Sequence, residues 1–222
     1  NNEGVVVITP SATSPALTEG KNFHFIFRTI GRDDQQGPAA AKFIINKAKP
    51  KKVAVLHDKQ SYGQGIAASV RDELKKANVE VALFEGINAG DSDYSAVITK
   101  LKSAGADFVY YGGYHPEMGL LLRQVRMMGP EGVGNPEINA IAGNAVEGML
   151  VTLPADPASK PENAALVKAF KDKGRDPSGA FQMGAYTATQ VLAQSIKAVG
   201  DDAEKVADYL HKTTFNMPTG NV

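Results

Sequence analysis

Cysteine is absent from the 222 residues, which removes disulfides, thiolate nucleophiles and cysteine-based metal centres from consideration. Net charge is absent too. Lys+Arg and Asp+Glu both number 24, so nothing here forms the electrostatic footprint of a nucleic-acid or polyanion binder. No apolar run approaches the roughly 20 residues of a membrane span. Histidine is scarce, and the four, at positions 24, 57, 115 and 211, share no metal-ligand spacing and no H-E-x-x-H pattern. There is no G-x-S-x-G elbow and no phosphate loop ending in Gly-Lys-Ser/Thr. A serine-hydrolase reading therefore has no nucleophile to point at. Internal repeats and low-complexity tracts are missing as well. What remains is a 43% hydrophobic chain, long enough for one large domain or two small ones. Its opening, Asn1-Asn2-Glu3-Gly4, leads into an apolar run without a charged leader, so the start reads as mid-protein and the chain as a fragment.

The most informative stretch is Asp107 to Gly119. Phe108, Val109, Tyr110 and Tyr111 form a short β-branched and aromatic run, the pattern of a buried strand. Gly112 and Gly113 permit a sharp turn or a close backbone approach. Tyr114 and His115 follow on that turn, and Pro116 suits the opening of a helix that is expected to run from Met118 to Arg126. A strand ending in glycines, a polar aromatic tip and then a helix is how open α/β sheets build ligand crevices at strand carboxyl ends.

The same alternation runs along the chain. Strands are expected at 5–8, 23–28, 53–56, 79–84 and 148–153. Helices are expected from Asp33 to Ala48, from a Ser61-x-x-Gln64 capping box through Leu74, and over 93–104, 138–142, 162–173, 178–199 and 203–213. Asp176-Pro177-Ser178 reads as the cap of the helix over 178–199. Strand–helix alternation predicts an α/β fold with parallel sheets and right-handed crossovers, flanked by helices. Pro154 to Pro161 reads as a hinge or domain crossing. One place breaks the pattern. The helix ending at Arg126 runs directly into Met127-Met128-Gly129-Pro130-Glu131, leaving no turn and no strand, so about ten residues are expected to be missing there on the usual length of such connections.

Polar tips on strand-end loops are the candidate binding groups: Ser11 and Thr13, Tyr62, Tyr114 and Glu131. Hydroxyls and N–H groups near a helix start suit a carboxylate, a loop glutamate suits an ammonium, and tyrosines offer apolar faces with polar handles. The set is complementary to a zwitterion and lacks a base–nucleophile pair. Glu131 could equally be an exposed loop acid. Gly63-Gln64-Gly65-Ile66-Ala67-Ala68 half-matches a dinucleotide fingerprint, but six residues separate its first glycine from the strand, so packing at a helix start is the simpler role. His57, at a strand end, could line a crevice or satisfy a structural bond.

Longer segments carry a resemblance. Residues 6–13 (VVITPSAT), 57–63 (HDKQSYG), 108–119 (FVYYGGYHPEMG), 128–133 (MGPEGV) and 176–181 (DPSGAF) resemble the leucine/isoleucine/valine-binding proteins, the branched-chain amino-acid receptors of bacterial ABC importers. The likeness covers essentially the whole chain. It implies a type I periplasmic-binding-protein fold, two α/β lobes joined by a three-stranded hinge and closing on the ligand like a flytrap. Lobe one would be residues 1–31 and 155–222, and lobe two residues 32–154. Ser11 and Thr13 would bind the ligand carboxylate, Glu131 would take the ammonium with Tyr114 beside it, and Tyr62 and Phe181 would wall the aliphatic side chain. Relative to the family, an opening segment with a serine-bearing loop, about ten residues before Met127, and a carboxyl-terminal segment would be absent.

The resemblance implies an extracytoplasmic, periplasmic protein whose signal peptide has been removed, with no catalysis, metal or cofactor. It would be a monomer that delivers leucine, isoleucine or valine to a membrane permease. Two rivals stand beside it: a sensory amino-acid-binding domain on the same fold, and a nucleotide-dependent α/β enzyme resting on Gly63–Ala68.

Overall fold

The computed structural model describes residues 3–20 and 23–222; the Asn1–Asn2 start discussed above lies outside them. Two short strands open the chain, β1 (Val7–Thr9) and β2 (Ile26–Arg28), paired in parallel with Val7 opposite Ile26. Helix α1 (Asp33–Phe43) follows, and a wider π turn over Ile44–Ala48 extends it. Lys49 then takes a left-handed conformation (φ 48°), and Pro50 ends any continuation.

Next come β3 (Val53–His57), α2 (Ser61–Lys76), β4 (Val81–Gly86), α3 (Ser95–Ala104), β5 (Phe108–Gly112), α4 (His115–Leu122), β6 (Met128–Gly129), α5 (Ile138–Ala142) and β7 (Leu150–Val151). The five strands form one parallel sheet in the order β4-β3-β5-β6-β7. The earliest strand, β3, lies between β4 and β5, so the sheet winds outward in both directions from that point.

Strand pleating divides the core. Val53, Val55 and Tyr110 project to one face and pack with Ala40, Ala41 and Ile44 of α1 and its extension and Ala67, Val70 and Leu74 of α2. Ala54, Leu56, Val109 and Tyr111 project to the other, against α3, α4 and α5 through Ile98, Leu101, Met118, Leu121 and Ile138. All five residues of β3 are buried, as expected of a strand covered on both faces.

The remaining elements are α6 (Ala164–Lys171), α7 (Gln182–Val199), α8 (Ala203–Lys212) and a terminal hairpin, β8 (Asn216–Met217) with β9 (Gly220–Asn221). The chain divides into two compact units, residues 1–31 with 154–222 and residues 32–153.

Three local expectations are corrected. Ser61 is the first helical residue of α2, not its cap: Gln60 holds that position without a side-chain cap bond, and Gln64 N–H donates to the Gln60 carbonyl. Likewise Asp176 accepts from Ser178 N–H (3.0 Å), but that turn closes on itself and α7 begins only at Gln182. Finally, α4 stops at Leu122. The amides of Gln124 and Val125 both turn back to the Leu121 carbonyl, and the Arg123 guanidinium binds the Ile141 carbonyl. Those bonds close the helix, so Arg123–Met127 serves as the connection and Met128–Gly129 has room to pair with β5 and β7.

Candidate functional site

Three of the six expected residues meet in the unit of residues 32–153, each just past the carboxyl end of a parallel strand. Tyr62 stands on the first turn of α2 after β3, Tyr114 precedes α4 after β5, and Glu131 follows β6. The reversal of strand order lies between β3 and β5, where open α/β sheets leave a crevice.

Glu131 is 4% exposed, which rules out the exposed-loop alternative. The Tyr62 hydroxyl is hydrogen-bonded to its carboxylate and accepts from Gly132 N–H at 3.3 Å. The Tyr62 and Tyr114 rings lie 5.3 Å apart at 41°, and Tyr114 is 42% exposed, an aromatic face left open to solvent. Burial, and next the charge of Glu131, hold the Tyr62 hydroxyl protonated far above its ordinary range. Tyr114 shifts upward as well, through burial and then Asp58, Glu131 and Asp33. This corner of the sheet is therefore a field of negative charge, suited to a cation.

Glycines let the three loops converge. A side chain on Gly63 would come within 2.5 Å of the Gly112 carbonyl, and one on Gly132 within 2.7 Å of the Gly113 carbonyl. Gly63 is thus taken up in packing against β5, the helix-start role expected for it. His57 is buried, and its Nδ1 accepts from Lys59 N–H at 3.1 Å, a structural bond. Burial lowers its pKa despite Asp58 alongside.

The other three residues lie in the unit of residues 1–31 and 154–222. Ser11 is exposed and Thr13 is buried, both on the loop after β1. Thr9 Oγ1 organises that loop by accepting from Ser11 N–H (3.3 Å) and Ala12 N–H (3.0 Å). Arg28 braces it from β2, donating to the carbonyls of Ala12 (3.2 Å) and Ser14 (2.9 Å) and to the Thr18 hydroxyl (2.7 Å). Phe181 caps α7, whose Gly184 neighbours the Pro10 carbonyl and accepts from the Thr29 hydroxyl (3.0 Å). The loop that carries Ser11 and Thr13 meets α7 at Pro10, opposite Gly184.

Sequence reasoning did not single out Arg28, Asp33, Asp58, Tyr110 or Glu117. Asp33, Asp58 and Glu117 are buried acids, and the Tyr110 hydroxyl is wholly enclosed. Its strand-end position could have flagged Asp58; nothing local marks Arg28 as a brace, since its partners lie 10 to 16 residues away. Among the described residues, no cluster of three or more potential metal ligands occurs. A surface depression of about 560 Å³, lined by Asp156, Val167, Lys171 and Arg175, contains none of the six residues and mixes charges of both signs, so it does not compete for the role.

Known proteins are similar to this chain along its whole length. The family described as periplasmic binding protein matches residues 1–222. A leucine-, isoleucine-, valine-, threonine- and alanine-binding protein of Pseudomonas aeruginosa is 56% identical, over 100% of this chain and 61% of its own length. That alignment runs over 229 residues for a chain of 222, so the relative holds positions that this chain lacks within the matched span. The Leu/Ile/Val-binding protein of Escherichia coli K12 is 47% identical, over 99% of this chain and 61% of its own length.

Among solved structures, the leucine binding protein LivK from Thermotoga maritima matches with a TM-score of 0.89 at 31% identity, covering 99% of this chain and 65% of that one. LivJ from Streptococcus pneumoniae, in complex with isoleucine, matches at 0.86 and 27%, covering 100% and 65%. The chain spans about three fifths of the length of the curated relatives it matches. Its fold is the type I periplasmic-binding-protein fold, and the chain belongs to the periplasmic binding protein family.

Proposed function

We propose that the protein containing this chain is a periplasmic solute-binding protein that captures leucine, isoleucine or valine and hands it to the permease of an ABC importer. It acts as a monomer, without catalysis or a cofactor. The observation that carries this reading is Glu131: a buried carboxylate at a parallel strand's carboxyl end, bonded to one tyrosine and flanked by another. In this reading Glu131 takes the ligand's ammonium with Tyr114 beside it. Thr13 binds the carboxylate by hydroxyl and N–H, and Ser11 adds to that grip from the same loop. Tyr62 and Phe181 border the aliphatic chain. The units of residues 1–31 with 155–222 and of residues 32–154 serve as the two lobes of the receptor. The names of the relatives support the ligand class, since they bind leucine, isoleucine and valine.

The physical division of labour follows. Burying a leucine side chain contributes roughly 2–3 kcal/mol, at about 25 cal/mol per Å². The charged ends give the discrimination, because a ligand lacking the ammonium leaves a buried carboxylate without its intended partner, at a cost of several kcal/mol. The test is calorimetric titration of the full-length protein with L-leucine, L-isoleucine and L-valine after unfolding and refolding to strip bound ligand. Saturable one-to-one binding is expected. No heat with any of the three, from protein verified as folded, would overturn the assignment.

A further inference from the structure

The Tyr62 hydroxyl has a place in a directed chain. Gly132 N–H donates to Tyr62 Oη at 3.3 Å, and the hydroxyl is in turn hydrogen-bonded to the Glu131 carboxylate. With its oxygen lone pair engaged by the amide, the hydroxyl's own proton points to Glu131, as a carboxylate can only accept. The ring is fixed from both sides. Tyr114 lies against it, tilted, at 5.3 Å, and Gly132 packs so closely that a side chain there would stand 3.0 Å from the ring's Cε1. Gly132 cannot retreat, because that same position is 2.7 Å from the Gly113 carbonyl. Two partners separated by about 70 residues are thereby held in one geometry.

We infer that Tyr62 is a positioning residue for ligand recognition: its hydroxyl, oriented by Gly132 N–H, fixes the rotamer of the Glu131 carboxylate that receives a primary ammonium. This rests on the proposed amino-acid-binding function and changes the part Tyr62 plays in it, from apolar wall to hydrogen-bond donor. A wall needs the ring alone. A positioning donor needs the oxygen. A carboxylate already held in place by Tyr62 needs little reorganisation on binding.

The two roles separate on Tyr62→Phe, which keeps the ring and removes only the hydroxyl. Leucine affinity would be measured by calorimetry in the full-length wild type, Tyr62→Phe, Glu131→Gln and the double variant, with circular dichroism verifying the fold. The expected result is a loss of roughly tenfold or more in Tyr62→Phe, the order of a hydrogen bond to a charged group. That loss should shrink to less than about twofold in the Glu131→Gln background, where no carboxylate remains to be oriented. Affinity unchanged in Tyr62→Phe, or an equal loss in both backgrounds, would overturn the positioning role and return Tyr62 to the wall. Wild-type protein that binds no leucine would refute the amino-acid-binding function itself, a distinct outcome.

Discussion

Asp58 shows what the sheet's carboxyl end does to a single residue. It is 2% exposed, its Oδ1 accepts from Gln60 N–H at 2.9 Å, and its own N–H donates to the Gly112 carbonyl at 3.1 Å. Burial first, and then Glu117 on α4, push its pKa above the ordinary 3.8, while the Gln60 amide and adjacent His57 pull the other way. Tyr111 and Tyr114 face it from β5 and the loop beyond. A carboxyl whose folded pKa is raised favours the folded state while protonated. Its contribution is complete below about 3.8 and is lost as pH rises through the folded value. Asp58→Asn keeps an acceptor for Gln60 and removes the charge, so its urea midpoint at pH 8 should exceed that of the wild type, with the gap closing toward pH 4. A lower midpoint at pH 8 would mean the ionised form is compensated in the fold. Such residues mark the limit of reading from sequence. Tyr62, Tyr114 and Glu131 could be picked out as candidates because each is a polar tip beside a glycine on a loop or helix start. The burial of Asp58 and Glu117, the Arg28 brace and the Tyr62–Glu131 bond arise from contacts between distant segments, and no local pattern encodes them.

At the scale of elements, α2 carries two glycines with opposite duties. Gly63 faces β5 and has no room for a side chain, with Asp58 Oδ1 at 2.3 Å and the Gly112 carbonyl at 2.5 Å from where one would begin. Gly65 is exposed, with nothing within 4 Å. Gly63→Ala should therefore cost about 1–3 kcal/mol through overpacking against backbone. Gly65→Ala should gain roughly 0.5–1 kcal/mol by lowering the entropy of the unfolded chain and raising helix propensity. Denaturant titration of both variants checks the contrast; equal effects would mean that the helix can shift away from β5. A glycine-rich motif alone could not separate these roles, since the distinction is made by a strand 45 residues further on. Element identity was more legible than element boundaries. The buried runs of β3 and β5 and the periodicity of α3 were plain, whereas the starts of α2 and α7 and the end of α4 were displaced. Ser61 stands one position inside α2 instead of at its cap, Asp176 makes a local turn without opening a helix, and Leu121 draws back the amides of Gln124 and Val125 beyond α4.

For the whole molecule, strand–helix alternation was enough to predict a parallel α/β fold, because crossovers of that kind leave few other arrangements. Strand order was not deducible from it: placing β3 between β4 and β5 depends on which helices cover which face. That order puts the ends of β3, β5 and β6 at one corner and gathers Tyr62, Tyr114 and Glu131 from across 70 residues. Family membership is carried by the full length of the chain. In the proposed function the ligand depends on a few side chains at that corner, above all on one carboxylate. The measurement that tests this most directly is a calorimetric titration of L-leucine into full-length wild type and Glu131→Gln, side by side, both stripped of ligand by refolding. The account predicts one-to-one binding to the wild type and at least about tenfold weaker binding to the variant, the loss of a charge-assisted contact. Equal affinity in the two proteins would contradict it and remove Glu131 from the binding site.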